Sequence, residues 1–525
     1  MRMKTILKVL GIFLVLLGGH FILSSYTGDE LPFYRFPYRQ AGLTERQAAV
    51  HLISRFTYGA TLGQVDAVMQ QGLENWFVQQ LSADLPDDSL QALLRPYDAL
   101  QLTNEQVVNL YPRVGQVARM AIRDGVVSKD SLKTDRKEYR EMVRSYMAEK
   151  GYKPEQDLFR QFISQKILRA ACSNNQLQEV MTDFWFNHFN VSITKNDCAQ
   201  FIPAYERDVI RPNSLGKFGD LLLKTAKSPA MLYYLDNFSS ATPLPEGQQM
   251  EDSGKRSRGL NENYAREVME LHTLGVDGGY TQQDVTQAAR VLTGWTVYPM
   301  NENAQKFINR FNPDQLARRG FVHEGDFLFN ANRHDRGDKT VLGHVFPAGG
   351  GYEEGVELLG MLAHNPSTAR FISRKIAVRF VSDDPPQSLI DKMTKTFLEK
   401  DGDIRQVLIT MVTAPEFWSP AAIRGKTKTP FELAIGAVRN LHAEVEQPYP
   451  LYTWITRMGE KKYYYQAPTG FPDKGAYWIN TGSLMNRMNV GLALAEGQVP
   501  GVKANLADSA EAVGVTIGSP EYQRR

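Results

Sequence analysis

The sequence predicts a mainly α-helical protein, with one large multi-helix domain that carries short β pieces and long loops. Through most of the chain, apolar residues recur every three to four positions, which is the spacing of an amphipathic helix. Hydrophobic residues make up 42% of the 525 residues and charged residues 22%, as in ordinary globular proteins. Helical periodicity weakens between Phe307 and Pro347, where Phe, Asn and Gly are frequent and short strands or loops are expected.

Helix start and stop signals define the elements in order. Thr44 with Gln47 forms a capping box before the first helical stretch. A second helix is expected from Thr61 to the stop signal at Gly72, and a third follows at once. The charged stretch from Val126 to Lys150 predicts a solvated or mobile helical arm. Later helices are expected within residues 158–191 and 216–235, and from Ser367, Pro386, Asp403 and Pro430.

The N-terminus carries an export signal. Arg2, Lys4 and Lys8 accompany an apolar run from Ile6 to Tyr26, which at about 20 residues is long enough to span a bilayer as a helix. No small-residue cleavage site follows this run, so residues 1–27 predict an uncleaved signal anchor, with a cleaved signal peptide as the alternative. The protein is then expected to be anchored in the inner membrane and to face the periplasm, or to be exported.

The rest of the sequence predicts a linker and one domain. Residues 28–42 are rich in Pro and aromatic residues and predict the linker, and residues 43–525 predict a single domain. The polar stretch 239–258 is a candidate flexible insertion. Cys172 and Cys198 are too few for a disulfide scaffold and form either one disulfide or two free thiols. A net charge of +2 without a dense Lys/Arg run excludes a nucleic-acid footprint.

The densest group of candidate functional residues lies between residues 259 and 295. On an ideal helix, one face carries Glu262, Asn263, Arg266, Glu267 and Glu270. Its three carboxylates suit a hard divalent cation or a general acid with a raised pKa. Arg266 suits an anionic substrate group, or it pairs with the glutamates. A structural ion-pair network is the alternative for the whole face.

Three further segments contribute candidate residues. His188 follows Asn187 among Trp and Phe residues, which predicts either a core histidine bonded to the backbone or a metal ligand or base. His334 lies in the loop sequence RHDRGDK and is either a site residue or the cap of a turn at Gly337. Asp236 ends an apolar helix where an Asx turn is expected. The aromatic stretch from Tyr463 to Trp478 packs against the helices, stacks on sugar rings or forms a protein interface.

Several of these blocks follow one another in a recognisable series. They are FWFNHFNV (184–191), SPAMLYYLDN (228–237), ENYAREVMELHTLGVDGGYTQQDV (262–285), HDRGDK (334–339), FISRKIAVRFVSDDPP (371–386) and SPEYQRR (519–525). In this order they resemble the signature blocks of a bacterial family, the domain of unknown function 1800 family. The resemblance implies an exported bacterial protein, often encoded beside another exported protein that would be a partner. It supplies no catalytic residues.

The clustering of acids, amides and histidines motivates the leading hypothesis, because such groups are costly to bury unless they are paired or useful. That hypothesis is a hydrolase-like enzyme that binds a divalent metal or an anionic substrate. Its expected catalytic residues are Glu267, Glu270, His188 and His334; its substrate-binding residues are Arg266, Asn263, Asn187 and Asp236; its metal ligands are Glu262, Glu267 and His188. The alternative is a non-catalytic scaffold or partner-binding protein of the cell envelope.

Overall fold

The computed structural model describes residues 34–127, 136–242, 259–301, 312–506 and 509–525. Pro37–Arg525 form one compact unit, and residues 34–36 belong to a separate N-terminal unit. The predicted signal segment 1–27, residues 28–33 of the predicted linker and residues 243–258 of the predicted insertion lie outside the described residues. Within the described ranges, no helix combines the length and the apolar character needed to cross a membrane.

The mainly α-helical prediction is confirmed. The helices of the first half are α1 (Glu45–Phe56), α2 (Gln64–Gln71), α3 (Leu73–Ser82), α4 (Asp88–Leu94), α5 (Asn104–Leu110), α6 (Val114–Arg123), α7 (Arg136–Glu149), α8 (Glu155–Cys172), α9 (Gln176–His188), α10 (Ile202–Ala204), α11 (Arg211–Asn213), α12 (Phe218–Lys227) and α13 (Pro229–Tyr234). Those of the second half are α14 (Asn263–Glu267), α15 (Gln282–Val291), α16 (Pro313–Arg318), α17 (Tyr352–Ala363), α18 (Pro366–Phe380), α19 (Gln387–Glu399), α20 (Ile404–Thr413), α21 (Pro430–Asn440), α22 (Tyr449–Arg457), α23 (Gly475–Trp478), α24 (Thr481–Ala495) and α25 (Ala510–Gly518).

The first helices begin and end where the sequence signals. The Thr44 side chain accepts a hydrogen bond from the Gln47 backbone, and the Gln47 side chain accepts one from the Thr44 backbone, so both bonds of the capping box are present at α1. Gly72 ends α2 at φ +90°, a conformation that favours glycine, and α3 starts at the next residue. The bounds expected for these helices are confirmed to within about one turn.

Seven short strands accompany the helices of the described chain, and the four between Val322 and Phe346 lie in the region where helical periodicity weakens. They are β1 (Trp295–Val297), β2 (Val322–Glu324), β3 (Phe327–Phe329), β4 (Lys339–Val341), β5 (His344–Phe346), β6 (Glu444–Val445) and β7 (Val502–Lys503), all paired antiparallel in the orders β1-β3-β2, β4-β5 and β6-β7. Trp295 of β1 lies opposite Phe329 and packs on α17 at Gly355, where an added Cβ would fall 2.4 Å from the indole ring.

The charged stretch predicted as a solvated or mobile arm is helical in its described part, with one solvated side and one packed side. Its helix α7 lies against α6, and Val143 and Tyr146 of α7 are buried with Val117 and Ala121 of α6 in a small core of their own. Lys and Arg residues cover the outer side of α7, so a few apolar residues at helical spacing are enough to attach it.

The two cysteines are free thiols. Cys172 ends α8 and is exposed, whereas Cys198 is buried. Burial raises the pKa of Cys198 well above its ordinary value, which keeps it a thiol rather than a thiolate. Of the two arrangements that the sequence left open, the structure shows the free thiols.

Two π-helical turns occur in the described chain, at Tyr205–Ile210 and Val268–Thr273. A π-turn holds one more residue per hydrogen-bonded loop than an α-turn, and such insertions are frequent at functional sites. The first connects α10 to α11, and the second continues α14. The single α-helix expected from Glu262 to His272 is therefore wrong beyond Glu267, and ideal α-helical angles do not place the residues that follow.

A chain of buried charges ties the helices together. Acidic and basic side chains alternate along it, from α9 through the first π-turn and α8 to the segment after α22; we call it the buried ion chain. Its members are Glu179, Arg211, Glu206, Lys166, Asp183, Lys462 and Glu460.

Each charge in the buried ion chain meets an opposite charge at short range. The Lys166 Nζ lies 3.2 Å from the Glu206 Oε2 and 3.3 Å from the Asp183 Oδ1. The Lys462 Nζ lies 2.9 Å from both carboxylate oxygens of Asp183. The Arg211 Nη2 lies 2.8 Å from the Glu206 Oε1. Because water is excluded, this mutual pairing is what makes the burial of these charges tolerable.

The pKa shifts show that attraction exceeds desolvation at the two central acids. Burial alone would raise the pKa of Glu206, but the charges of Lys166 and Arg211 lower it below its ordinary value. Burial opposes ionisation at Asp183 in the same way, and the ammonium groups of Lys462 and Lys166 hold its pKa well below the usual range. Both acids are therefore ionised in the folded protein at neutral pH.

Glu206→Gln should destabilise the fold strongly. The change leaves Lys166 and Arg211 buried with too little negative charge, so we expect the free energy of unfolding to fall by about 3–5 kcal/mol. Urea unfolding followed by circular dichroism measures the loss. Asp391→Asn is the matched control, since it breaks an exposed pair with Arg370 and should cost less than about 1 kcal/mol. Equal losses in the two variants would contradict a structural role for the buried ion chain.

Candidate functional site

The two asparagines around His188 hold the aromatic loop, residues 463–478. The Asn187 side chain donates to the Phe471 carbonyl at 2.8 Å and accepts from the Phe471 amide at 2.7 Å. The Asn190 Nδ2 donates to the carbonyls of Tyr465 and Ala467 at 3.1 and 2.8 Å. Asn187, predicted to bind substrate, thus has both ends of its amide engaged by the protein's own backbone.

The loop comes so close to α9 that one position requires glycine. Gly470 has φ +67°, and a Cβ there would lie 2.1 Å from the Asn187 carbonyl oxygen. Most aromatic rings of the loop face inward: Tyr463 and Trp478 are buried, and Tyr465 and Phe471 are partly buried. Packing against the helices, one of the three expectations for this stretch, is what the structure shows for these rings.

His188 lies under the loop and is bonded on both ring nitrogens. Its Nε2 is 3.0 Å from the His272 carbonyl oxygen, and its Nδ1 is 3.0 Å from the Lys375 Nζ. Because a carbonyl only accepts, Nε2 carries the proton and Nδ1 accepts from Lys375. Burial lowers the pKa of His188 well below its ordinary value, and Lys375 and His272 add to the shift. His188 is therefore a neutral, oriented histidine.

Sequence reasoning missed the two partners of His188. His272 belongs to the second π-turn, and burial lowers its pKa to about 3, with Lys375 adding to the shift. Its Nε2 is buried and has no hydrogen-bond partner among the described residues. Burial also lowers the pKa of Lys375, and the carboxylate of Asp473 opposes this shift. The sequence signal for Lys375 was its place in the block FISRKIAVRF. Its partner His188 lies 187 residues away in the sequence.

Glu267 is the least constrained acid of the predicted face. It is the last residue of α14, partly buried, and its carboxylate makes no hydrogen bond or ion pair with the part of the chain that the structure describes. Burial raises the pKa of Glu267, the charge of Glu270 raises it further, and Arg266 opposes both. Glu270 differs because it accepts a hydrogen bond from the Tyr280 hydroxyl at 3.1 Å.

The outer end of the face is an ion-pair network. Glu262 lies 3.2 Å from the Arg266 guanidinium and accepts hydrogen bonds from Gln282 and Thr286 at 2.8 and 2.6 Å. The Arg266 side chain is 40% exposed, so part of its guanidinium faces solvent. Asn263 begins α14, and its backbone amide donates to the Asn261 side chain at 2.9 Å.

The structure does not bring the expected metal ligands together. Glu262 belongs to the exposed ion-pair network, whereas both ring nitrogens of His188 are engaged by His272 and Lys375. Within the described ranges, no group of three or more His, Cys, Asp and Glu side chains is arranged to hold a metal ion.

His334 belongs to a separate buried network. Its Nδ1 lies 2.9 Å from the Thr293 carbonyl oxygen, and its Nε2 lies 3.2 Å from the Glu354 Oε2. Lys339, from the same HDRGDK sequence, pairs with Glu354 at 2.7 Å. In the contacts of the described chain, His334 meets neither His188 nor Glu267. The structure therefore separates one expected catalytic residue from the others.

Asp236 links two loops near α14. It has φ +59°, its carboxylate lies 2.6 Å from the Lys195 Nζ, and its carbonyl accepts from the Asn261 side chain at 3.3 Å. The residue expected to bind substrate thus fixes the chain just before α14.

Comparison with known proteins agrees with the signature blocks. The family model described as "Protein of unknown function (DUF1800)" matches residues 51–524, which include the loop-holding asparagines, Glu267 and Lys375. No curated protein and no solved structure matches the chain. With nearly its whole length matched, the chain belongs to the DUF1800 family of proteins of unknown function.

Proposed function

We propose that the protein is a hydrolase-like enzyme in which Glu267 acts as the general acid. The observation that supports this role is a partly buried carboxyl group with a raised pKa and no described partner. Keeping such a group unpaired is costly, and a carboxyl that stays protonated to higher pH is suited to protonate a leaving group. Its position at the start of a π-turn adds support, because π-turns are frequent at functional sites.

The neighbours of Glu267 supply the other roles. Glu270, held by Tyr280, acts as the base that takes a proton from the attacking water, while Glu267 gives its proton to the leaving oxygen. Arg266 faces solvent on the same short helix and holds an anionic group of the substrate. His188 and Lys375 position the second π-turn through the His272 carbonyl and take no part in proton transfer.

Glu267→Gln should abolish hydrolysis. The amide cannot donate a proton as a carboxylic acid does, so we expect kcat to fall by about 10²–10⁴-fold. A panel of chromogenic carboxylate esters, phosphate esters and glycosides, each carrying a negative charge, provides the assay. Because burial raises the pKa of Glu267, wild-type activity should persist above the pH range in which an exposed glutamic acid ionises and then decline as pH rises.

Glu353→Gln is the control for this test, since Glu353 is an exposed residue of α17. It should retain wild-type activity. Hydrolysis that survives Glu267→Gln, or a wild-type protein that hydrolyses no member of the panel, would refute the proposal.

We also propose that residues 1–27 anchor the protein in the inner membrane with the domain in the periplasm. Support comes from the apolar run Ile6–Tyr26 behind the basic residues Arg2, Lys4 and Lys8. Membrane tethering would place the Glu267 site near envelope substrates.

The anchor predicts a specific fractionation. Full-length protein should stay in the membrane pellet after an alkaline carbonate wash, and deletion of residues 2–27 should leave it in the cytoplasm. Immunoblotting of the fractions measures both outcomes. A soluble periplasmic protein that has lost residues 1–27 would instead show a cleaved signal peptide.

One observation favours a second candidate function, binding of another exported protein. Apolar side chains of α24 and the segment before it are 42–68% exposed and form what we call the α24 patch: Tyr477, Ile479, Leu484, Met485 and Met488. Exposed apolar clusters of this kind mark interaction sites, and methionines suit adaptable interfaces.

Met485→Lys combined with Met488→Lys should disrupt such an interface without unfolding the protein. The two added charges would be buried unpaired on binding, so crosslinking to the partner in intact envelopes should be lost. Mass spectrometry of crosslinked products gives the measurement, and the urea midpoint should stay unchanged. Val276→Lys, on an exposed residue outside the α24 patch, is the control. Identical crosslinks in all variants would rule the α24 patch out.

A further inference from the structure

A cleft distinct from the Glu267 site lies between α1, α21 and the C-terminal segment of the chain. Its volume is about 910 Å³, which is large enough for a small organic molecule. Val50, Ile53 and Ile423 contribute apolar surface, and Lys428 and Tyr522 lie across from one another in its lining. We call it the Lys428 cleft; none of its lining residues belongs to the site around Glu267.

Lys428 has no anionic partner in the described residues. Its Nζ lies 3.7 Å from the centroid of the Tyr522 ring, so a cation–π contact takes the place of an ion pair. The Tyr522 hydroxyl donates to the Asn440 side chain, which fixes the ring under the ammonium group. A largely buried lysine that forms no ion pair with the described residues retains hydrogen-bond donors for a ligand.

The lining carries an excess of positive charge. Arg424 and Arg524 are exposed and form no ion pair with the described residues, whereas Glu432 is already paired with Arg379 and Arg525. In addition, Arg525 lines the cleft and its Nε has no hydrogen-bond acceptor among the residues that the structure covers.

The remaining acid does not cancel this excess. Glu521 has the one carboxylate side chain among the described lining residues that forms no ion pair, set against the charges of Lys428, Arg424 and Arg524. When Lys428 is protonated, the difference is two positive charges, which a phosphate monoester dianion would balance. Guanidinium groups and a lysine ammonium are also the usual ligands of phosphate oxygens.

The electrostatics of Lys428 indicate how binding responds to pH. Burial lowers the pKa of Lys428 to about 7. The carboxylate of Glu432 opposes this shift, and the guanidinium groups of Arg525, Arg487 and Arg424 add to it. A bound anion would reverse the effect of those cations, so Lys428 takes up a proton when the anion binds.

We propose that the Lys428 cleft is a binding site for a small organic phosphate, held by Lys428, Arg424 and Arg524 with its organic part against Tyr522 and the apolar lining. The volume favours a phosphate ester over the free ion, which would fill only a small part of the cleft. The site is independent of the proposed hydrolysis at Glu267, so either can fail while the other holds.

Titration calorimetry of the full chain with phenyl phosphate and with inorganic phosphate tests the site. Phenyl phosphate should bind at least tenfold more tightly than inorganic phosphate, because only the ester contacts the apolar lining. Equal affinities would overturn the organic ligand, and no binding of either would overturn the site. Glu267→Gln protein should bind phenyl phosphate like the wild type, which separates this test from that of hydrolysis.

Variants at Lys428 distinguish a ligand contact from a structural role. Lys428→Gln should weaken phenyl phosphate binding at least tenfold, whereas Lys395→Gln, on an exposed lysine of α19, should leave it unchanged. Wild-type affinity in Lys428→Gln would overturn the proposal. If Lys428→Gln does not fold, the pH dependence of phenyl phosphate binding to Lys428→Arg, which keeps the charge, tests the role of Lys428.

The pH profile follows from the proton that Lys428 takes up. Between pH 7 and 9 the phosphate ester stays dianionic, so the wild-type affinity should fall by roughly tenfold per unit as the free lysine loses its proton. Lys428→Arg remains charged throughout and should bind with nearly constant affinity over this range. Parallel pH profiles in the two proteins would overturn the role of Lys428.

Discussion

The structure depends on the pairing of opposite charges in the buried ion chain. Desolvating seven ionised side chains is tolerable only if each finds an opposite charge at short range. The buried ion chain meets this requirement by fixing α8, α9, the first π-turn and the segment around Lys462 in one arrangement. Tyr463 extends it, since its hydroxyl donates to Glu206 at 2.8 Å. The aromatic loop therefore starts from a fixed point, from which it reaches Asn187.

The features that the sequence predicted correctly are those set by neighbouring residues in the chain. The capping box at Thr44 and the stop at Gly72 depend on neighbours a few residues away, and both are present as expected. The turn from α14 into a π-helix was not predictable, because the same residues suit an α-helix and the extra residue is accommodated by tertiary packing. The packing of α7 on α6 likewise depends on a partner that charge content does not reveal.

The candidate sites show the same difference between local features, which the sequence predicts, and long-range contacts, which it does not. Glu262 and Glu267 are alike in sequence, but Glu262 has three hydrogen-bond or ion-pair partners and Glu267 has none among the described residues. Lys375 was missed because its partner His188 lies 187 residues away in the sequence. Lys428 was missed because its contact with the Tyr522 ring joins residues that are far apart in the sequence.

Asn187 near the end of α9 and Asn190 just after it bind the aromatic loop through main-chain atoms of the loop. Asn187 bonds to the carbonyl and the amide of Phe471, and Asn190 bonds to the carbonyls of Tyr465 and Ala467. None of these hydrogen bonds involves a side chain of the loop. A change of side chain at Phe471, Tyr465 or Ala467 would therefore leave these main-chain hydrogen bonds in place. Gly470 is the exception, since backbone contact leaves no room there for any side chain.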